Sequence, residues 1–247
     1  MLLQILTLLV LTTLTTAKTY TLLDFGAVEG DTSLNASLRN AAAFNTSFTT
    51  MQSGDTLTIP QGNFHTMGGI VGRNLANITI SIDGTLTLPT SQKNWPRTGP
   101  GTKAKVMEFF HFYNVSDFTL TSSQMPAPPG ARGQNAGNNG VGLIEGNGAV
   151  WWGIPGVGYL EIGENRPRLL NIENGTNIKV ERIFFKDPPY WTTHIHTDNH
   201  LEITDCKIEV IHFQLYSLHV STFTHSFLNL DFFIKGLAHF PRYPHHH

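Results

Sequence analysis

Apolar and polar residues along this chain alternate in short runs with a period of two, and turn residues separate the runs. Thr56-Leu57-Thr58-Ile59 alternates and stops at Pro60. Ile78, Ile80 and Ile82 alternate with Thr79 and Ser81; Asp83-Gly84 marks a turn, and Leu86-Thr87-Leu88 resumes the pattern. Phe118-Thr119-Leu120 repeats it. Such runs predict short strands with one side in a core. Residues 32–50 break the period. Leu34, Leu38, Ala41, Ala42 and Phe44 fall near helical spacing there, and Gly54-Asp55 closes the segment.

A second regularity links the strands. Ile178, Val180, Ile183 and Phe185 each find an apolar counterpart 23 residues on, at Leu201, Ile203, Cys206 and Ile208. Asn77, Asn177 and Asn199 stand just before three of the strand sets. A repeat of this length, built from short strands with Asn and Gly at the corners, predicts an all-β parallel β-helix. Its successive coils present the same inward positions and stack at about 4.8 Å. Corner asparagines can then form hydrogen-bonded ladders. Alternation alone also fits a β-sandwich; the lack of hairpin signals between these strands favours the solenoid.

Composition narrows the class. The 247 residues are 40% hydrophobic and 14% charged, which describes a globular chain, and Gly at 23 and Pro at 13 suit many turns. A net charge of -2 leaves no basic footprint for nucleic acid. Residues 1–17, apolar from Leu2 to Leu14 with Thr15 and Ala17 at small positions, read as a signal peptide. No later run is apolar enough for a membrane span. Five sequons, at Asn35, Asn45, Asn77, Asn114 and Asn174, agree with a secreted glycoprotein. Cys206 is the single cysteine and reads as a small buried hydrophobe.

Four motifs in order carry a resemblance. They are Asp24-Phe25-Gly26-Ala27-Val28, Gly142-Leu143-Ile144-Glu145-Gly146-Asn147-Gly148 with Trp151-Trp152, Arg166-Pro167-Arg168-Leu169-Leu170, and Lys186-Asp187-Pro188-Pro189-Tyr190-Trp191-Thr192-Thr193-His194. Together they resemble glycoside hydrolase family 28, the polygalacturonases and their relatives. The resemblance implies a right-handed single-stranded parallel β-helix with an N-terminal capping helix. It also implies inverting hydrolysis of α-1,4-galacturonosyl bonds in pectin by a monomer, without metal or other cofactor. Inversion needs a carboxylic acid and a carboxylate base about 6.5–9.5 Å apart.

The motifs that hold those carboxylates in the family are an Asn-Thr-Asp, an Asp-Asp pair, a Gly-His-Gly and an Arg-x-Lys. None occurs in this chain. From residue 212 on there are seven His, six Phe and one Gly, a composition foreign to the coils. The sequence thus divides into a signal peptide (1–17), a partial β-helix truncated before the catalytic coils (18–210) and an atypical tail (211–247). The tail is either a retained intron or frameshifted gene model, or a divergent end, and the chain is expected to be inactive. A non-catalytic polysaccharide-binding protein is the rival reading. The motifs assign no catalytic residue; Asp198, in Thr197-Asp198-Asn199, and Asp205 are fallback carboxylates that also read as turn residues. Arg168, Trp191 and His194 are candidates for binding a pectic uronate and its ring. Trp151, Trp152 and Tyr190 fit either sugar stacking or packing. His194, His196 and His200 have strand spacing but no acidic partner that would complete a metal site.

Overall fold

In the computed structural model, which describes residues 16–99, 104–124, 142–152, 166–212, 214–226 and 230–235, each alternating run forms one side of a three-sided coil. The chain begins with β1 (Thr19–Thr21), makes a 3-10 turn at Leu22–Phe25 and runs through α1 (Leu34–Thr50). A first full coil follows: β2 (Thr56–Ile59), β3 (Asn63–His65) and β4 (Ile70–Arg73). β5 (Ala76–Ile82) and β6 (Thr85–Thr87) begin the next. After an excursion with β7 (Arg97–Thr98) and β8 (Lys105–Val106), that coil closes in the first half of β9 (Phe110–Thr121). The rest of β9, β10 (Leu143–Glu145) and the start of β11 (Leu170–Glu181) form a third coil, whose excursion carries α2 (Ala149–Trp152). The rest of β11, β12 (Phe184–Lys186) and β13 (Trp191–Thr197) form a fourth, and β14 (His200–His212) leads into a fifth.

Parallel pairing stacks these strands into three faces. The first face holds β4, the start of β9, the start of β11, and β13. The second holds β1, β2, β5, the later halves of β9 and β11, and the start of β14. The third holds β3, β6, β10, β12 and the end of β14. The architecture is therefore an all-β parallel β-helix. The 23-residue repeat is one uninterrupted turn: Val180 lies against Ile203, Phe185 against Ile208 and, earlier in the chain, Leu57 against Ile80. Inward side chains form continuous apolar columns, such as Leu57, Ile80, Leu120, Val180 and Ile203, all buried. Cys206 belongs to this core, and burial pushes its thiol up to about 12.

The helix α1 covers the start of the barrel. Ser33 caps it, its hydroxyl accepting from the Ala36 amide. The buried stripe runs through Ala36, Asn40, Ala43, Phe44, Ser47 and Phe48. Leu34, Leu38 and Ala42, which the sequence pattern placed on the apolar face, are instead exposed. Smaller residues lie against the coils and let the helix approach closely enough for side-chain amides to reach backbone. The Asn40 amide accepts from the Val28 N–H at 2.6 Å and donates to the carbonyls of Val28 (2.9 Å) and His65 (2.8 Å). Asn45 accepts from the Val71 N–H at 2.8 Å and donates to the Gly69 carbonyl at 3.2 Å. Asn40→Ala strands three backbone groups under the helix. It is expected to cost about 2 kcal/mol, read as a lower midpoint in equilibrium denaturation.

Asparagine and aspartate make the corner between the first and second faces. Asn74, Asn77, Asn114, Asp117, Asn174 and Asn177 all have left-handed backbone, with φ from 49° to 57°. Their side chains ladder between coils: Asn114 donates to Asn74 at 3.3 Å, Asn174 to Asn114 at 3.0 Å, and Asn177 to Asp117 at 2.6 Å. Past Val210 the parallel pattern gives way. β15 (Gln214–Ser226) runs antiparallel along β14, and β16 (Leu230–Lys235) runs antiparallel along β13. The compositionally distinct stretch thus adds strands of opposite sense to the last coil. Among the described residues no helix is long and apolar enough to cross a membrane.

Candidate functional site

Strand alternation on the first face turns one set of side chains outward. Phe110, Phe112, Leu170, Ile172 and Ile195 point to the core, so their neighbours His111, Tyr113, Asn171, Glu173 and His194 point away from it. Pairing aligns them across coils. Val71, His111, Asn171 and His194 form one row; Arg73, Tyr113 and Glu173 form a second.

The rows are joined by hydrogen bonds. His194 Nδ1 lies 2.8 Å from Asn171 Oδ1, which can only accept, so Nδ1 carries the proton. Asn171 Nδ2 donates to Glu173 Oε1 at 3.2 Å and lies 2.7 Å from His111 Nε2. Glu173 Oε1 is itself 2.8 Å from His111 Nε2, and the Tyr113 hydroxyl is 2.8 Å from His111 Nδ1. Nε2 can donate to the Glu173 carboxylate or accept from the Asn171 amide but not both, and when it donates to Glu173, Nδ1 accepts from the tyrosine hydroxyl. Burial holds the His111 pKa below its usual value, against the raising effect of Glu173, with Arg73 and Arg168 adding to the depression. The His111 and Tyr113 rings stack at 3.9 Å, and the Arg73 guanidinium covers the Tyr113 ring at 4.1 Å.

Along the same face sits a cationic, aromatic group. Arg168 Nη1 pairs with Glu108 Oε1 at 2.5 Å, and the Arg168 backbone N–H donates to Glu108 Oε2. Burial pushes the Glu108 pKa up, opposed by the charge and hydrogen bonds of Arg168. The Arg168 guanidinium lies 5.0 Å from the Trp191 ring, and that of Arg166 lies 4.6 Å from the Tyr190 ring. Tyr190 and Trp191 stack at 5.1 Å with 12° between planes, and Trp191 meets His194 edge-on at 6.3 Å. The three binding candidates read from the sequence, Arg168, Trp191 and His194, are thus brought together. Half-buried flat rings beside guanidinium and imidazole groups can receive a sugar ring and an attached carboxylate.

Other candidates separate. Asp198 is exposed at the corner between the first and second faces, whereas Asp205 sits with left-handed backbone at the next corner, the far end of the intervening strand. Seven residues of extended chain put them roughly 20 Å apart, well beyond acid–base spacing. Trp151 and Trp152 are packing residues. Trp151 is fully buried edge-on against Trp95, and Trp152 Nε1 donates to the Pro188 carbonyl at 3.0 Å. This docks two of the sequence motifs together, because a Cβ on Gly146 would come within 2.4 Å of the Asp187 carbonyl. Among the described residues no group of three His, Cys, Asp or Glu is arranged to hold a metal. Of the sequon residues, Asn77, Asn114 and Asn174 are exposed at the laddered corner, and Asn35 is exposed in the first turn of α1. Asn45 is the half-buried clamp on β4. Residues 1–15 of the expected signal peptide and residues 236–247 of the atypical tail lie outside the described residues.

Sequence reasoning missed His111, Tyr113, Asn171 and Glu173. A signal existed in the recurrence of apolar-polar-apolar-polar-Asn at Phe110–Asn114 and again, 60 residues on, at Leu170–Asn174.

The profile of glycosyl hydrolases family 28 matches residues 50–213. The chain belongs to that family. The family 28 match spans the coils from β2 to β14. Two solved structures share the fold at 16% identity. One is a candidate glycosyl hydrolase from Parabacteroides merdae, with a TM-score of 0.53 over 77% of this chain and 76% of that one. The other is a hyperthermoactive exopolygalacturonase from Thermotoga maritima, with a TM-score of 0.51 over 78% of this chain. The alignment spans 47% of the exopolygalacturonase, so the chain corresponds to about half of that enzyme. No curated protein matches the chain.

Proposed function

We propose that this family 28 chain is of polygalacturonase type and holds pectic polysaccharide along the outward side of its first face. The observation that carries the reading is the convergence of Arg168, Trp191 and His194, with the hydrogen-bonded rows of His111, Asn171 and Glu173 beside them. The guanidinium and imidazole groups suit a uronate carboxylate, and the tryptophan suits the face of its ring.

The family reaction, inverting hydrolysis of α-1,4-galacturonosyl bonds, needs an acid and a base across the scissile bond. The chain has neither an Asn-Thr-Asp nor adjacent aspartates, and Asp198 and Asp205 stand at different corners. We therefore read it as a binder that does not hydrolyse, acting as a monomer and exported by residues 1–17. The purified chain is expected to bind polygalacturonate in titration calorimetry and to release no reducing ends. Trp191→Ala should weaken binding about fivefold, through lost ring stacking. Turnover would overturn the inactive reading, and a folded chain that binds no pectic polymer would overturn the site.

A further inference from the structure

Glu173 has no evident part in attracting a polyanion, yet it lies in the middle of the face. Glu108 is buried against Arg168, whereas the Glu173 side chain is 43% exposed. It is also held in place. Its Oε1 is 2.8 Å from His111 Nε2 and 3.2 Å from Asn171 Nδ2, and Asn171 is in turn fixed by His194. His111 is further set by Tyr113. A negative charge is thus fixed, facing solvent, between the Trp191–Arg168 group and the Arg73–Tyr113 pair.

We propose that Glu173 is a specificity determinant that selects the charge state of the sugar laid over it, favouring an uncharged, methyl-esterified galacturonosyl unit over a free uronate. The inference rests on the reading of this face as a pectic-polymer site. A free uronate placed there meets a carboxylate that cannot swing away, whereas a methyl ester keeps the ring and removes the repulsion. Unit charges some 6 Å apart near a protein surface, screened over roughly 10 Å, repel strongly enough for about a tenfold difference in affinity. Arg168 and Trp191 would still take a free uronate further along, so the face would prefer a partly esterified chain.

The test compares binding of the full chain to polygalacturonic acid and to highly methyl-esterified pectin at pH 7.5, in low and in 0.5 M salt (roughly 10 and 4 Å screening lengths). The wild type should bind the esterified polymer about tenfold more tightly at low salt and lose the preference at high salt. Glu173→Gln should bind both polymers equally at low salt, while His65→Gln, on the third face, should behave as the wild type. Circular dichroism confirms folding, and the wild-type salt comparison stands even if Glu173→Gln does not fold. Equal binding by the wild type, or a preference that survives high salt or Glu173→Gln, would overturn the inference. Failure of the wild type to bind either polymer would instead overturn the reading of the face.

Discussion

Phe112→Ala is expected to destabilise the protein by about 4 kcal/mol, within the range for truncation of a buried aromatic. Phe112 is fully buried where three parts of the fold meet. Its ring lies 5.5 Å from Phe48 on α1, 5.7 Å from Phe110 on the first face, and 4.6 Å from Phe118 on the second. The backbone is shaped around it, since a Cβ on Gly72 would come within 2.5 Å of the Phe112 ring. Stacked strands and a capping helix cannot close over the resulting cavity without breaking ladder hydrogen bonds. Equilibrium unfolding in urea should show a lower midpoint with an unchanged slope. A loss below about 1 kcal/mol would mean that the helix and the coils do not share one core.

Arg168→Leu comes next, at about 3 kcal/mol near pH 7, because it leaves the Glu108 carboxylate buried without its partner. The pH dependence follows from the Glu108 shift. Its folded pKa already lies above the ordinary value of 4.5 because of burial, and Arg168 opposes that rise. A carboxyl with a raised folded pKa contributes stability below its unfolded pKa and loses it as pH rises through the folded value. Removing Arg168 raises that value further. The variant should therefore lie close to the wild type below pH 4 and fall behind it as pH climbs. Adding Glu108→Gln should recover most of the loss at neutral pH; an additive double variant would show that the two side chains are not coupled.

The coils were legible in the sequence wherever one followed another without interruption. Val180 and Ile203 pair 23 residues apart because the intervening corners are short, and the repeat there is plain in the residues. The pairing of Phe112 with Ile172 was not legible, because an excursion stretches that coil to 60 residues and hides its period. The same excursion hid the site. Arg168, Trp191 and His194 lie close together in the chain and carry recognisable chemistry, whereas His111 and Glu173 become neighbours only through stacking. The antiparallel turn of β15 onto β14 also has no local signature, since the strand pattern of β14 is the same whichever sense its partner takes.

The left-handed corners have a consequence for how such a chain is processed. At Asn77-Ile78-Thr79, Asn114-Val115-Ser116 and Asn174-Gly175-Thr176 the first residue takes positive φ, the second is buried and the third faces outward. Among residues with a side chain, asparagine tolerates the first position best, and serine or threonine suits the third on a strand. Turning this corner with L-amino acids therefore favours the asparagine of an acceptor sequence, and Asn74-Leu75-Ala76 and Asn177-Ile178-Lys179 turn it without completing one. The asparagines of three of the five sequons are accounted for by backbone handedness, whatever compartment the chain enters.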